Sequence, residues 1–246
     1  FINKSNKIIN EKILNICLNY RPNLVVLGHN NILESSSINK IKKNYSSKFI
    51  LWYEDALGKR GDGPNWKNNL DLIEKNNQLI DGYYLTTHPD EIKTIIHRKK
   101  LNFLPIPVDP NIENLEIFNY KNRYKDLFFA LSHGVNFGKL KKGKNDEREE
   151  FIEELMNLYP DIKYNILGIA DENPKWNYDF FNELSKCKMS LNLSRGHPLK
   201  YTSSNRIAAL IGNGIYTFID EKTKFSDFFN ENEVGSYKNI LDLGNK

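Results

Sequence analysis

The chain has 246 residues, which is enough for one large domain or two modest ones. Its hydrophobic content of 39% and aromatic content of 12% suffice for packed cores and exclude a wholly disordered protein. The net charge of +4 is a mild basic bias, which suits an anionic small molecule at least as well as a nucleic acid.

Cysteine usage and hydropathy narrow the class of protein further. Cys17 and Cys187 lie far apart and neither is in a CxxC pair, which argues against a disulfide framework or a zinc site and indicates a cytoplasmic location. No apolar run approaches the roughly 20 residues that span a bilayer, and no signal peptide is visible. Because the chain begins with Phe1, we expect both ends to be cut from a longer protein.

Helices and strands alternate along the first part of the chain, which predicts an α/β domain over residues 1–108. The predicted elements are, in order, the helix "IINEKILNICLNY", the strand "NLVVLGH", the helix "SSSINKIKKNY", the strand "KFILWYED", the helix "NWKNNLDLIEKNN", the strand "IDGYYLTT", the helix "HPDEIKTIIHRKK" and the short strand "LNFLPIPVD". The stretch "PIPVDPNIENLEIFNYKNRY" carries three prolines and no clear periodicity, so we predict a linker over residues 109–124.

The alternation restarts in a second domain, predicted over residues 125–246. The predicted elements are the strand "KDLFFALS", the helix "EREEFIEELMNLY", the strand "IKYNILG", the helix "YDFFNELSKCK", the strand "MSLNLS", the helix "SSNRIAALIGNG", the strand "IYTFID", a short helix "KFSDFF", the strand "EVGSYK" and a helix that begins near Leu241. Two α/β units with parallel sheets, joined by a linker, are expected to leave a cleft between them.

The loop before "SSNRIAALIGNG" is rich in hydroxyl groups and cations. In a βαβ unit, phosphates favour the amino end of the helix, where Ser203, Ser204, Asn205 and Arg206 are expected. Arg206 could fork onto a diphosphate. The alternative is that the two serines only cap the helix and that Arg206 pairs with a carboxylate.

Two further loops should reach the same edge of the second sheet. The loop "SHGVNFGKLKKGK" offers Lys139 and Lys142 for a phosphate, although it lacks the Walker A spacing and by itself also fits a solvated basic loop. The loop after the next strand places Gly168, Ile169 and Ala170 where a flat base could lie, and Asn192 and Ser194 end the strand that follows. Three such loops in strand order favour an anion site at the switch point of the sheet.

The C-terminal stretch resembles the donor-binding half of GT-B glycosyltransferases. It is most similar to the CgeB-like, glycosyl-transferase group 1 type, whose pattern looks like S-x-R-[apolar]-x-E-x-x-A-x-G. In "SNRIAALIGNG", Ser204, Arg206 and Gly214 stand at matching places, and "FLPIPVDP" looks like the inter-domain segment of that family. The resemblance covers roughly residues 90 to 240.

The resemblance implies an α/β fold of GT-B type, with two Rossmann-like domains whose parallel sheets face a cleft. The N-terminal domain would be incomplete, because the glycine-rich loop usual after its first strand is missing. The implied function is transfer of a sugar from a nucleotide-diphosphate sugar to a glycan, lipid or protein acceptor, with no metal and no cofactor. Arginine and lysines would neutralise the leaving diphosphate.

One position departs from the family pattern. The glutamate that holds the donor ribose in many relatives falls on Ala209, whose methyl group accepts no hydrogen bond. Either Asp220 or Glu221 substitutes for it, or the donor is held differently, or activity is lost.

By the same resemblance, the first domain would bind the acceptor, and an inverting enzyme would take its base from there. The candidates are Asp55, His29 and His88, in that order. Alternatively, Asp55 caps a turn, His88 is an N-cap ahead of Pro89, and His29 is loop surface.

Two other function classes remain open from the sequence. A catalytically degenerate nucleotide- or sugar-binding module of the same fold would explain Ala209. A nucleic-acid partner is suggested by the basic segments "KKLNF" and "GKLKKGK", but acidic residues nearly balance the basic ones and no nucleic-acid-binding motif is present, so we expect none. No transmembrane segment is expected, whereas peripheral membrane contact fits the sequence.

Overall fold

The structure is a computed structural model that describes residues 2–28, 32–59, 65–132, 135–136, 139–140, 147–169 and 172–246. The chain forms two compact units, Phe1–Pro105 and Ile106–Lys246. Across these described ranges, no helix is long and apolar enough to cross a membrane. The two units are described separately below.

The first unit contains a parallel sheet with the strand order β1-β2-β3-β4. Its strands are β1 (Leu24–Gly28), β2 (Lys48–Tyr53), β3 (Gly82–Leu85) and β4 (Leu101–Phe103). Its helices are α1 (Ile2–Tyr20), α2 (Ser35–Tyr45) and α3 (Asn65–Glu74). The predicted α/β alternation is thus confirmed for this part of the chain.

The helix predicted over "HPDEIKTIIHRKK" is wrong. Only two short 3-10 turns form there, Pro89–Glu91 and Arg98–Lys100. The segment between them is attached to the end of α3, because the Glu74 carboxylate accepts a hydrogen bond from the backbone N–H of Ile95 at 3.1 Å and another from the Thr94 hydroxyl. This long-range contact replaces the local helical hydrogen bonds that the periodicity predicted.

The helices of the first unit pack on one face of its sheet. The core on that face includes Phe49 and Leu51 of β2 and Tyr83 of β3, and Tyr83 is the register partner of Leu51. The opposite face adds no residue to that core: Leu24 and Val26 are 51% and 58% exposed. Right-handed crossovers between strands added in one direction place every crossover helix on the same side, which explains the one-sided packing of these described elements.

The second unit contains a parallel sheet with the order β11-β10-β9-β5-β8. Its strands are β5 (Lys125–Ala130), β8 (Tyr164–Leu167), β9 (Cys187–Asn192), β10 (Tyr216–Asp220) and β11 (Val234–Tyr237), and β6 (Val135–Asn136) pairs with β7 (Lys139–Leu140) in a separate antiparallel hairpin. Its helices are α4 (Glu147–Leu158), α5 (Asn177–Leu184), α6 (Asn205–Gly212) and α7 (Ile240–Gly244). The predicted short helix "KFSDFF" is a 3-10 turn, Phe225–Phe228.

Both faces of the second sheet are packed. On one face Phe129 and Leu191 meet Ile152 of α4 and Leu243 of α7. On the other face, Phe128 contributes to a core that also holds side chains of α5 and α6. This doubly covered parallel sheet is the arrangement that near-continuous apolar strands require.

The segment predicted as a linker, residues 109–124, packs on the second unit. Ile117 is fully buried in its core. The side-chain oxygen of Asn213 accepts a hydrogen bond from the N–H of Leu115 at 3.1 Å, and its carbonyl accepts one from the N–H of Ile117 at 2.9 Å. These bonds fix the segment against the end of α6.

The carboxylate of Glu183 in α5 stabilises the second unit through hydrogen bonds, and this contribution can be measured. Burial disfavours its charge, but hydrogen bonds from Lys175, Lys186 and Asn165 outweigh burial and lower the pKa of Glu183 from 4.5 to about 2. Because the pKa is lowered on folding, this stabilisation is complete above pH 4.5 and is lost as the pH falls towards 2. We expect Glu183→Gln to lower the free energy of unfolding at pH 7 by about 1–3 kcal/mol.

Urea unfolding of the two proteins at pH 7 and pH 3 measures this difference. It should shrink at the lower pH, and Glu153→Gln, at an exposed position of α4, serves as the control. An equal difference at both pH values would contradict the assignment.

Candidate functional site

The second sheet reverses its direction of growth at one place. From β5 the chain continues to β8 on one side, and then crosses to β9 on the other side. The carboxyl ends of β5 and β9 therefore flank a topological switch point, which is where open α/β sheets bind ligands.

Arg206, in the first turn of α6, spans this switch point. Its Nε donates to Oδ1 of Asn192 at 3.2 Å, its Nη1 donates to the carbonyl of Ala130 at 3.1 Å, and its Nη2 donates to the carbonyl of Leu193. The guanidinium also lies 5.5 Å from the ring centroid of Phe129. Arg206 thus joins the ends of β5 and β9, and the predicted partner Asn192 is part of this connection.

The predicted phosphate-binding residues before α6 have local roles. The hydroxyl of Ser204 caps the helix by accepting from the N–H of Ile207 at 3.4 Å. The buried hydroxyl of Ser203 accepts from the N–H of Ile106 at 3.0 Å, and Asn205 is exposed. The capping role that the sequence left open for Ser204 is therefore present in the structure.

A pocket of about 360 Å³ opens at the carboxyl ends of β9, β10 and β11. The residues that line it come from these strand ends and from the amino ends of α4 and α7: Glu147, Arg148, Phe151, Glu154, Leu193, Ser194, Asp220, Lys222, Tyr237, Lys238, Asn239 and Ile240. Two predicted nucleotide-binding residues, Ser194 and Asp220, are among them. The neighbouring candidate Glu221 is exposed and does not line this pocket.

The pocket carries charge of both signs. Three cationic residues, Lys222, Lys238 and Arg148, line the pocket, and Arg148 is only 8% exposed. The carboxylate of Glu147 accepts from the backbone N–H of Gly196, which attaches the start of α4 to the loop that follows β9. Both cationic and anionic groups of a ligand therefore have a complement here.

Tyr237 is the most deeply buried polar side chain of the pocket among the residues described. It is 3% exposed and is the register neighbour of Asp220 on the adjacent strand. Burial and the Asp220 carboxylate raise the pKa of Tyr237, and Arg206 opposes them, so the phenol stays protonated. No described residue makes a hydrogen bond with its hydroxyl, and that oxygen is not among the fully buried atoms without a partner, so it is open to the pocket.

Three pocket residues, Tyr237, Arg148 and Glu147, were not predicted from the sequence. Tyr237 ends a strand at the sheet edge, two residues before Asn239, whose side chain caps α7 by accepting from the N–H of Asp242 at 2.9 Å. A strand-end tyrosine before a capping asparagine is a signal that could have placed it. The acidic start "EREE" of α4 gave no comparable signal, because its proximity to β10 and β11 depends on the tertiary fold.

The loop after β8 is only partly described. Gly168 has φ of +81° and donates its N–H to the carbonyl of Glu172 at 3.0 Å, and a side chain there would collide with the backbone of Leu131. Ile169 is 5% exposed and packs in the core on the α4 side of the sheet. Ala170 lies outside the described residues, as does Lys142, and only the backbone of Lys139 is described, in β7.

The candidate bases predicted in the first unit are His88, Asp55 and His29. His88 caps the 3-10 turn at Pro89, because its Nδ1 accepts from the N–H of Asp90 at 3.3 Å, and its ring lies 5.6 Å from that of Phe103. Asp55 is exposed after β2; together with burial, which has the larger effect, it raises the pKa of Tyr53 to about 12. His29 lies outside the described residues.

We find no group of three or more His, Cys, Asp or Glu side chains, within the ranges that the structure describes, that could hold a metal ion.

Comparison with known proteins finds a family similar to part of the second unit. Residues 147–246 match the glycosyl transferase-like family model, and this range contains every residue that lines the pocket. This match covers less than half of the chain and shows that these residues are similar to that family. This match confirms the resemblance to glycosyltransferases predicted from "SNRIAALIGNG", and with it the prediction of an enzyme, but does not test the CgeB-like type.

Solved structures confirm the fold. Anabaena Alr3699/HepE in complex with UDP and glucose matches 99% of this chain and 69% of its own, with a TM-score of 0.55 and 10% identity. Its complex with UDP matches 96% of this chain and 70% of its own, with a TM-score of 0.55 and 9% identity. At these identities the likeness shows a GT-B-like fold with two parallel sheets and nothing more. No curated protein sequence matches the chain.

Replacement of Arg206 tests its connecting role. Lysine keeps the charge but cannot donate to three separate acceptors on two strands, so we expect Arg206→Lys to lower the free energy of unfolding by about 1–3 kcal/mol without any ligand. Chemical denaturation measures the difference.

Arg98→Lys, at an exposed arginine of the first unit, is the matched control and should change stability by less than about 0.5 kcal/mol. Equal stability of Arg206→Lys and the unchanged protein would show that the three hydrogen bonds do not hold the strand ends together.

Proposed function

We propose that the chain is a glycosyltransferase whose second unit binds a nucleotide-diphosphate sugar in the pocket at the ends of β9, β10 and β11. The observation that carries the proposal is the coincidence of three features: the carboxyl edge of a doubly wound sheet, a pocket of about 360 Å³, and the range matched by the glycosyl transferase-like family. The complexes of Alr3699/HepE with UDP, and with UDP and glucose, support a donor of this kind.

The size and chemistry of the pocket suit a part of such a donor. Its volume is at the lower end of the range for small-molecule sites, which is about 300–1,000 Å³, and fits a nucleotide better than a whole nucleotide sugar. Lys222, Lys238 and Arg148 supply positive charge for a diphosphate, and Asp220 supplies an acceptor for sugar hydroxyls.

In this proposal, the protein cations stabilise the charge that develops during transfer. When the bond between the sugar and the diphosphate breaks, negative charge accumulates on the leaving phosphate oxygens, and fixed positive groups stabilise it most where water is excluded. We propose metal-independent transfer on this basis. Asp55 is the first candidate for the base that takes the acceptor's proton, followed by His29 and His88.

The acceptor is proposed to be a glycan, a lipid or a protein. A cytoplasmic location accords with Cys17 and Cys187, which are buried free thiols.

A binding module that has lost catalysis is the second candidate, and Ala209 favours it. The alanine stands where the family pattern has glutamate, so one acceptor for the donor is absent. Binding of UDP-glucose without hydrolysis or transfer, tested with a mixture of acceptors, would favour this candidate over the transferase.

Lys222→Ala tests the donor site. Lys222 is exposed at the rim of the pocket, so its loss should leave the fold intact and weaken UDP binding about 3- to 10-fold, more at low salt than at high salt. Isothermal titration calorimetry with UDP and UDP-glucose measures the effect.

The control is Lys163→Ala, which removes an exposed lysine directly before β8, at the amino end of the strands. Absence of UDP binding to the unchanged chain would refute the proposed function. Equal weakening by both variants would place the binding site elsewhere.

A further inference from the structure

Ala209 stands where the family pattern has a glutamate, and its position relative to the pocket shows whether a side chain there could reach a ligand. Ala209 does not line it, whereas Asp220 does. Of the two acidic residues that the sequence offered as substitutes, Glu221 is exposed in the following 3-10 turn and lies outside the lining. Of these two substitutes, the structure therefore places only Asp220 at the pocket, whose lining also contains Glu147 and Glu154.

The geometry of Asp220 leaves it able to accept further hydrogen bonds. Its Oδ1 accepts from the backbone N–H of Lys222 at 2.9 Å, which fixes the side chain as the cap of the turn. No described residue donates a hydrogen bond to its Oδ2 in the structure. A carboxylate held rigidly by one oxygen, with the other oxygen available, is well suited to accept from a hydroxyl group.

Tyr237 adds a second polar group at the same place. Asp220 and Tyr237 are register partners on adjacent parallel strands, so their backbones lie about 4.8 Å apart. The Tyr237 side chain is nine-tenths buried or more, lines the pocket, and has no hydrogen-bond partner among the described residues. Because its oxygen is not among the fully buried atoms without a partner, it reaches the pocket and can exchange a hydrogen bond with a ligand hydroxyl.

We propose that Asp220 and Tyr237 together bind a hydroxyl-bearing sugar ring of the donor, in place of the glutamate that the family pattern has at position 209. Asp220 Oδ2 accepts a hydrogen bond from a ring hydroxyl, and Tyr237 Oη exchanges a hydrogen bond with the same or the neighbouring hydroxyl. This inference depends on the proposed function, because it assigns residues of the same donor site.

Phe151 supports the orientation of the phenol. Its ring centroid lies 6.1 Å from that of Tyr237, with an angle of 49° between the planes, so the tyrosine ring is held by packing on α4. A positioned, uncharged phenol discriminates strongly against a ligand that lacks the matching hydroxyl, because its own hydroxyl would then stay unpaired.

The ring could belong to the ribose or to the transferred sugar, and the choice of ligands distinguishes these two. Calorimetry with UDP, 2′-deoxy-UDP, 3′-deoxy-UDP and UDP-glucose is carried out on the unchanged chain, Tyr237→Phe and Asp220→Asn. Tyr237→Phe removes one oxygen atom and keeps the packing with Phe151, so the fold should be retained, as thermal unfolding without ligand verifies.

The control is Tyr216→Phe, which removes a hydroxyl of the same sheet that donates to the carbonyl of Glu231 at 3.1 Å and does not line the pocket. It should leave the affinity for every ligand unchanged.

If the ring is the ribose, Tyr237→Phe weakens UDP binding about 5- to 30-fold. The substitution then has no effect on binding of the deoxy analogue that lacks the hydroxyl bound by Tyr237. If the ring is the transferred sugar, UDP binding is unchanged and only UDP-glucose binding weakens. Unchanged affinity of both variants for UDP and UDP-glucose would overturn the inference while the proposed function stands. Failure of the unchanged chain to bind UDP or UDP-glucose would overturn both.

Discussion

The hydrogen bonds of Arg206 across the switch point are the interaction on which the candidate site depends. One guanidinium, delivered by the first turn of α6, binds carbonyl oxygens at the ends of β5 and β9. It thereby sets the position of Leu193, which forms part of the pocket wall. Its charge also acts on Tyr237 against the effect of Asp220. A residue expected from sequence to bind phosphate is thus first of all a residue that builds the edge of the sheet.

The two units differ in a way that explains why the candidate site lies in the second. In the first unit the described strands follow one another in a single direction, so the sheet contains no reversal there, and the helices pack on one face. In the second unit the reversal between β8 and β9 places helices on both faces and a crevice between the ends of β5 and β9, beside the pocket at the ends of β9, β10 and β11. Chain topology, rather than any single motif, determines where a ligand can bind.

Features that depend on local sequence could be predicted, and features that depend on distant contacts could not. The order of helices and strands, the cap at Ser204 and the strand-end position of Asp220 follow from residues adjacent in sequence. The acceptors of Arg206 include Ala130, 76 residues away, and the pairing of Asp220 with Tyr237 depends on the β10–β11 register. Likewise, the helix predicted after His88 is replaced by a contact with Glu74 that no local pattern reveals.

Hydrogen–deuterium exchange of the chain with and without UDP tests the central claim most directly, because it locates a ligand without any substitution. The account predicts that UDP slows exchange in peptides that cover residues 193–196, 220–224 and 237–240, at the ends of β9, β10 and β11. Peptides that cover the amino ends of the same strands should be unaffected. Protection confined to the first unit, or no protection at saturating UDP, would contradict the account.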